Sequence, residues 1–313
     1  MMDRIIVALS GRYPDLAELE ARTVLGMRGR RFPGILVGEA NEPERSGVLS
    51  LTRTIGALVC KCRLDARLPP RTATWPKMAG TFKVVGSTEQ VNALLASWCR
   101  KANPHLRPDL HQATSVVDSV VSGSYRYVFV RRWTDEQPFE DRKAHRWPMP
   151  HPTACDPRLA RALVNCADAR SILDPFCGAG GILIEAGLAG VRAMGCDIDE
   201  DMVRRARVNL SHFGVHASLD VDDATTLNRF KKDDVDAIVT DLPYGRNSRL
   251  QAADSTYELF LRRARRLVSR AVVVFPSCAF RPALLRRTGW KSTHAFDVYV
   301  HKSLSKKVVV LTA

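Results

Sequence analysis

The sequence contains no run of apolar residues as long as the roughly 20 that a membrane-spanning helix requires. Near the amino terminus, the apolar run in MMDRIIVALSGR is too short and too soon interrupted for a secretory signal. Paired CxxC spacings are absent, and the 8 cysteines are scattered through mostly apolar segments. We therefore expect a soluble cytoplasmic protein with no membrane partner, whose thiols are reduced and mostly buried.

Metal-ligand spacings and internal repeats are missing as well. The 8 histidines show no spacing typical of ligands, so the sequence predicts no metal site. Acidic residues are in deficit, because 33 Asp and Glu stand against 47 Lys and Arg, a formal net charge of +14 that both halves share. Such an excess suggests a polyanionic partner, since neutralising phosphates releases counterions. By itself it also fits a basic protein that merely stays soluble.

Length and composition predict two domains, because 313 residues with 45% apolar content can form two compact cores. A polar, proline-containing tract at 134–157 lacks sustained periodicity and is interpreted as the connection. We place an α+β module at 1–140, a linker at 141–155 and a second domain at 156–313. In the module, strands are predicted at 5–11, 81–86 and 115–133, helices at 16–27 and 89–101, and either strands or a buried helix at 47–62.

After the linker, strand and helix patterns alternate regularly. Asp156 and Pro157 supply a helix N-cap and a proline at the first helical position. Strands separated by helices require right-handed crossovers and a mainly parallel sheet that is covered on both faces. The tail breaks the alternation, because AFDVYVHKS and KKVVVLT flank a polar turn and predict an antiparallel hairpin. The fold class is therefore α/β, with a mainly parallel seven-stranded sheet that ends in this hairpin.

A glycine-rich turn joins a strand to a helix in SILDPFCGAGGILIEA. Such a turn allows backbone N–H groups to approach a dinucleotide, a phosphate or S-adenosylmethionine. The dinucleotide fingerprint would need glycine at Leu183, and the Gly-Lys-Ser/Thr of a phosphate loop is absent. Asp174 on the loop would repel a pyrophosphate but can pair with an ammonium group. The pattern therefore favours S-adenosylmethionine.

Acidic residues follow the next two strands. Asp197, at the end of the second strand, is the candidate acceptor for ribose hydroxyls, whereas Asp199 is expected to cap the following helix. After the third strand, Asp223 and Ala224 are placed to meet an adenine ring, with Asp222 as the competing choice. Each acid alone would be an ordinary turn residue, but their recurrence at successive strand ends favours a cofactor site.

The motif TDLPYG ends the fourth strand, beside the glycine turn. An exocyclic amino group on a nucleobase is a poor nucleophile, so its methylation needs acceptors for N–H bonds, alignment and loss of a proton. Asp241 can supply a carboxylate, the carbonyl of Leu242 a second acceptor, Pro243 a stiff turn and Tyr244 a ring that stacks on an everted base. The motif predicts methylation of a planar amine.

In combination these motifs resemble the THUMP-containing tRNA guanine-N2-methyltransferases, most closely the archaeal enzymes acting on guanosine at position 10. The resemblance implies a ferredoxin-like plus THUMP module that binds tRNA, a Rossmann-like class I methyltransferase domain, and S-adenosylmethionine as cofactor. A small activator protein is a further candidate partner, although no residue pattern indicates one. The residues assigned to cofactor binding are Asp174, Phe176, Gly178, Gly180, Asp197, Ile198, Asp223 and Ala224. Those assigned to catalysis are Asp241, Leu242, Pro243 and Tyr244.

The motif departs from the family pattern at Leu242, where proline is usual. Leucine here also resembles the branch that acts on position 6 of tRNA, so that target stays open. A DNA or ribosomal RNA amino-methyltransferase shares the motif, although a separate basic module argues for structured RNA. A non-catalytic RNA-binding protein with a degenerate fold is the alternative outside enzymes, and the intact Asp241 argues against it.

Overall fold

The computed structural model of the chain describes residues 4–65, 73–243, 250–301 and 304–313. The chain divides into two compact units, Met1–Glu136 and Gln137–Ala313. Of the 8 cysteines, all are free, and only Cys278 is exposed. Within the ranges described, no helix combines the length and the apolar character needed to cross a bilayer.

The first unit contains one eight-stranded mixed sheet with the order β2-β3-β1-β4-β8-β7-β5-β6. Its strands are β1 (Ile5–Leu9), β2 (Arg28–Phe32), β3 (Ile35–Glu39), β4 (Thr52–Arg63), β5 (Thr81–Val84), β6 (Arg107–Pro108), β7 (Ser115–Ser122) and β8 (Tyr125–Thr134). Its helices are α1 (Pro14–Leu25), α2 (Glu89–Ala102) and a 3-10 helix at Pro43–Val48.

The ambiguous segment 47–62 forms mainly strand β4, which lies between β1 and β8 and pairs antiparallel with both. The central part of β4, residues 55–60, is buried or half-buried and apolar without polar alternation, and this explains why periodicity did not separate it from a buried helix. Helix α2 buries Leu95 and Trp98 against the sheet. The short strand β2 was not predicted, because its sequence RGRRF is polar and lies on the exposed edge.

The second unit contains a seven-stranded sheet with the order β11-β10-β9-β12-β13-β15-β14. Its elements are α3 (Pro157–Ala167), β9 (Ser171–Asp174), α4 (Gly181–Leu188), β10 (Arg192–Asp197), α5 (Glu200–His212), β11 (Ala217–Val221), β12 (Ala237–Asp241), α6 (Leu250–Leu267), β13 (Arg270–Pro276), α7 (Pro282–Thr288), β14 (Lys291–His301) and β15 (Leu304–Thr312). Neighbouring strands are parallel except that β15 runs antiparallel to both β13 and β14. The predicted α/β class and terminal hairpin are confirmed.

Strand order fixes where a ligand site can form in this sheet. The chain moves outward in one direction from β9 to β10 and β11, and in the other from β12 to β13. The carboxyl ends of β9 and β12 therefore border the crevice where the strand order reverses, which is where open α/β sheets bind ligands. Asp174 ends β9 and Asp241 ends β12, so the sheet brings two distant carboxylates to one edge.

The segment assigned to a linker at 141–155 needs correction, because it packs within the second unit. Arg142 is buried and donates to Glu185 at 2.6 Å, while Arg161 reaches the same carboxylate at 2.9 Å. The indole nitrogen of Trp147 donates to the carbonyl of Arg142 at 2.7 Å. Short 3-10 helices at Phe139–Arg142 and Ala144–Arg146 place these side chains without the periodicity of a helix or strand, which is why the tract resembled a linker.

We expect a fragment of residues 137–313 to unfold at a higher denaturant concentration than a fragment of residues 156–313. The shorter one loses Arg142 from the buried carboxylate of Glu185 but keeps Arg161, so the loss should be smaller than the roughly 3–5 kcal/mol of a buried charge left without any partner. It also exposes the surface covered by Phe139 and Trp147. Urea unfolding monitored by circular dichroism measures the difference. Equal midpoints would show that 137–155 contributes nothing to this unit.

Candidate functional site

A cavity of about 580 Å³ lies at the carboxyl ends of β9, β10 and β12, within the second unit. Its volume falls in the range of roughly 300–1,000 Å³ that is usual for small-molecule and cofactor pockets. Asp174 and Asp241 both line it, so the two carboxylates face one common space. Ten of the twelve residues assigned from sequence are in the lining: Asp174, Phe176, Gly178, Asp197, Ile198, Asp223, Ala224, Asp241, Leu242 and Pro243.

The glycine loop between β9 and α4 is bonded to the neighbouring strand β10. The amide of Cys177 donates to the carbonyl of Cys196 at 3.0 Å, and the amide of Gly178 donates to Asp197 at 2.9 Å. Gly178 has φ +50°, and a Cβ atom there would meet nothing within 4 Å. The loop backbone is therefore open toward the cavity, as the approach of a ligand to main-chain groups requires.

Gly180 has a different position from the one that its assignment to the cofactor implied. It is the N-cap of α4 with φ +96°, and a Cβ atom there would lie 3.3 Å from that of Ala206. In the parts of the chain described, it is not among the cavity-lining residues. Glycine is required here by the left-handed backbone and by close packing on α5, not by a contact to the ligand space.

Asp174 is a buried carboxylate held by neutral donors. The hydroxyl of Thr240 donates to it at 2.6 Å and the amide of Phe176 at 3.2 Å. Burial raises the pKa of Asp174 to about 7, the nearby charges of Asp197 and Asp241 add to the rise, and the two hydrogen bonds oppose it. A bound cation would favour the ionised form, so this position suits an ammonium group.

The end of β10 presents one polar and one apolar group to the cavity. Asp197 accepts from the amides of Gly178 and Asp199, at 2.9 and 3.0 Å, which fixes its carboxylate at the rim. Ile198 beside it is 71% exposed, an apolar surface that a planar ring can cover. Asp199 accepts from the amide of Asp201 as the N-cap of α5, and its predicted capping role is confirmed.

Of the two acids after β11, Asp223 is the one that lines the cavity, together with Ala224. One oxygen of Asp223 accepts from the amide and the hydroxyl of Thr225, both at 2.8 Å. Asp222 instead accepts from the amides of Asp223 and Arg229, and across the described ranges it is absent from the lining. The geometry favours Asp223 over its competitor.

Asp241 is mostly buried and forms an ion pair that no local sequence pattern indicates. The ammonium of Lys306, on β15, lies 2.5 Å from Oδ2 of Asp241. Burial raises the pKa of Asp241, and Lys306 acts in the opposite direction. The other oxygen, Oδ1, is buried and has no hydrogen-bond partner among the residues that are described. It is therefore an acceptor whose donor has to come from elsewhere.

The turn after Asp241 is held by two hydrogen bonds. The amide of Leu242 donates to the carbonyl of Val274 at 2.9 Å, and its side chain is fully buried. The carbonyl of Pro243 accepts from the hydroxyl of Tyr257, on α6, at 2.6 Å. These contacts fix the backbone where leucine replaces the usual proline. Tyr244 lies outside the described residues.

Sequence reasoning missed the residues that reach the site from distant segments. The segment before α3 contributes to the lining through His151, Thr153, Ala154 and Cys155. In this segment the sequence predicts only the helix cap at Asp156 and Pro157. Nothing local to KKVVVLT indicates that Lys306 has a partner 65 positions earlier in the chain.

The sheet order, the glycine loop and the acidic strand ends define a class I S-adenosylmethionine-dependent methyltransferase domain. Residues 145–306 match the family described as UPF0020, RMKL-like, methyltransferase domain. The tRNA (guanine(10)-N2)-dimethyltransferase of Pyrococcus abyssi is 37% identical over 98% of this chain and 99% of that protein. The protein of the same name from Methanothermobacter thermautotrophicus is 41% identical over 46% of this chain and 44% of its own length. The chain belongs to the tRNA (guanine(10)-N2)-dimethyltransferase family.

The fold of the whole chain has a counterpart among solved structures. The crystal structure of TrmN from Thermus thermophilus superimposes with a TM-score of 0.53, covering 99% of both chains at 23% identity. At this identity the similarity concerns the fold. It extends over both units of the present chain, including the amino-terminal one that the UPF0020 match leaves out.

We propose that Asp174 pairs with the ammonium group of S-adenosylmethionine, and this predicts a pH-dependent affinity. A cation stabilises the ionised carboxylate, so binding lowers the pKa of Asp174 from about 7 and releases a proton below that pH. Between about pH 5 and 7, affinity should rise by up to about tenfold per pH unit. Calorimetric titration of the intact protein with the cofactor measures this slope.

Two variants test whether the pH dependence of cofactor affinity comes from Asp174 and not from a neighbouring carboxylate. Asp174→Asn keeps an acceptor for Thr240 but cannot ionise, so its affinity should be weak and nearly independent of pH. Asp222→Asn alters a carboxylate outside the lining and should keep the slope of the unmodified protein. An unchanged slope in Asp174→Asn would refute the assignment.

Proposed function

We propose that this protein transfers methyl groups from S-adenosylmethionine to the N2 amino group of guanosine at position 10 of tRNA. Membership of the family supports the reaction, and the names of the relatives support the position and a dimethylated product. The observation that carries the proposal within the chain is the shared cavity of Asp174 and Asp241. One carboxylate suits the cationic cofactor, and the other suits the amine that is to be methylated.

The residues of the β12 turn match the needs of the amino group. When bound, the cofactor supplies an electrophilic methyl group. The N2 nitrogen would take the methyl group as the bond between that carbon and the cofactor sulfur breaks and the thioether leaves, and it would lose one of its two protons to a base, so it needs acceptors for both N–H groups. Asp241 lines the cavity, its Oδ1 is a buried acceptor without a partner among the described residues, and the Leu242 carbonyl is the second candidate acceptor. The remaining N–H group of the first product permits a second transfer at the same site.

Alternative targets are less well supported by this chain. Leucine at position 242 resembles the branch acting on position 6. In this chain, however, the turn is held by hydrogen bonds to the carbonyl of Val274 and from the hydroxyl of Tyr257. These bonds compensate for the rigidity that the usual proline would give. The relatives that match at 37 and 41% identity carry names specifying position 10. A non-catalytic role would not require a buried carboxylate with an unused oxygen at the cavity.

We propose that the first unit, as a ferredoxin-like and THUMP-type module, binds tRNA through a basic groove in its sheet. A cavity of about 520 Å³ there is lined by Arg4, Arg30, Lys61, Trp75 and Tyr127 among others. Trp75 Nε1 and Tyr127 Oη are buried, and neither has a partner in the described part of the chain. Cationic groups beside aromatic rings suit single-stranded nucleotides, whose phosphates pair with the cations and whose bases stack.

Asp241→Asn should lower turnover by about 10²–10⁴-fold while cofactor affinity changes little. The amide keeps the size of the side chain but is a far weaker base and cannot accept the proton, and loss of a general base typically costs about 10²–10⁴-fold. Transfer of labelled methyl groups to an unmodified tRNA transcript, followed by mass mapping of the nucleoside, measures rate and position together. Wild-type incorporation at another base, or full activity in Asp241→Asn, would contradict the proposal.

Replacing Arg30 and Lys61 by alanine should weaken tRNA binding in a salt-dependent manner. Each lost phosphate contact should reduce the slope of log affinity against log salt by about 1. Arg45→Ala is the matched control, since Arg45 lies in the same unit but pairs with Glu42 at 3.0 Å. Filter binding at several salt concentrations measures the slopes. Equal slopes for control and groove variants would exclude this surface.

A further inference from the structure

Lys306 is a buried lysine in the strand that lies between β13 and β14. Its side chain is 5% exposed, and its ammonium lies 2.5 Å from Oδ2 of Asp241, whose side chain is 13% exposed. Removing two charges from water costs several kcal/mol per ion, and the attraction between them only partly returns this. A buried pair of this kind is weak evidence for stability, so its position beside the cavity calls for another reason.

The adjacent lysine shows that the environment of Lys306 is specific. Lys307 projects from the opposite face of β15, pairs with Asp297 at 2.7 Å and lies 5.8 Å from the ring centre of Phe280. Its partner Asp297 is 74% exposed, as an ordinary surface pair would be. The two neighbours therefore have the same chemistry but opposite surroundings, and only Lys306 is directed at the site.

The ion pair gives the two carboxylate oxygens of Asp241 different roles. Lys306 occupies Oδ2, which fixes the carboxylate rotamer and leaves Oδ1 as the acceptor without a partner in the described residues. We propose that Lys306 is a positioning residue for methyl transfer, which holds Asp241 by one oxygen so that the other meets the amino group of the target guanine. This inference rests on the proposed function, because it assumes that Asp241 receives the guanine N–H.

Charge is the second effect of Lys306. Burial raises the pKa of Asp241, and the ammonium of Lys306 opposes that rise, so it keeps the carboxylate ionised and able to accept a proton. Among the described residues, the other titratable groups that line the cavity are His151, Cys155, Asp174, Cys177, Asp197, Asp199 and Asp223. They are common to every variant below. Saturating cofactor holds Asp174 in its ionised form, so its titration is removed from the comparison.

The first test is the pH dependence of the single-turnover rate on tRNA at saturating cofactor. In Lys306→Met the pKa of Asp241 should rise. The acidic limb of the pH–rate profile should therefore move to higher pH by one unit or more, and the rate on that limb should be about tenfold lower than in the wild-type protein. The loss should recover as pH is raised. Lys306→Arg retains the charge and should keep the wild-type limb, and Lys307→Met should leave the profile unchanged.

The second test separates action through Asp241 from a structural effect. In an Asp241→Asn background, Lys306→Met should lower the residual rate by less than about twofold, because coupled residues are not additive. An equal loss in both backgrounds, or a Lys306→Met profile whose acidic limb does not move, would overturn the proposal. Should Lys306→Met fail to fold, a shifted limb in Lys306→Arg would overturn it instead.

A third measurement does not depend on methyl transfer. The carboxyl ¹³C resonance of Asp241, identified by its loss in Asp241→Asn, can be titrated in the cofactor-bound protein without tRNA. Its midpoint should be higher in Lys306→Met than in Lys307→Met, and equal midpoints would refute the electrostatic part of the inference. If the wild-type protein does not methylate tRNA but this difference is present, the proposed function fails while the role of Lys306 toward Asp241 stands.

Discussion

Two buried carboxylates that face one cavity are the constraint on which the rest of this site depends. Asp174 and Asp241 end strands that are neighbours in the sheet; burial raises the pKa of both carboxyl groups, and the charge of Asp241 adds to the rise in the pKa of Asp174. The protein resolves this in two different ways. Among the described residues Asp174 accepts from the neutral donors Thr240 and Phe176, whereas Asp241 pairs with the ammonium of Lys306.

This difference matches two ligands of different charge. A carboxylate without a fixed counter-ion gains most from a cationic ligand, because binding removes an electrostatic cost that the free protein carries. A carboxylate with a fixed counter-ion gains little from a second cation, but it keeps an oxygen for a neutral N–H donor. The cavity thus has one end suited to an ammonium and another suited to an uncharged amine, and a methyl-transfer site needs both.

The features predicted from sequence are those in which one short segment contains the whole physical reason. The loop at Gly178 and the cap at Asp199 are examples, because strand, turn and helix start follow one another in the chain. The structure departs from expectation where the reason is not local. Gly180 packs on Ala206 of another helix, and residues 137–155 pack through Arg142 on Glu185. Neither contact leaves a periodic trace in the sequence.

Lys306 is the clearest case of a non-local determinant, and the sheet explains how it reaches the site. Asp241 pairs with Val274 of β13, which in turn faces Val308 of β15, so two strand spacings of about 4.8 Å separate β12 from β15. Lys306 lies two residues from Val308, opposite Pro276 at the end of β13, and an extended lysine side chain can cross that strand to reach the carboxylate. A short side chain at this position of β15 could not reach the carboxylate of Asp241. The antiparallel insertion of β15 therefore does more than extend the sheet, because it places the ammonium of Lys306 against Asp241. The hairpin that served in the sequence as a marker of fold class thereby becomes part of the site itself.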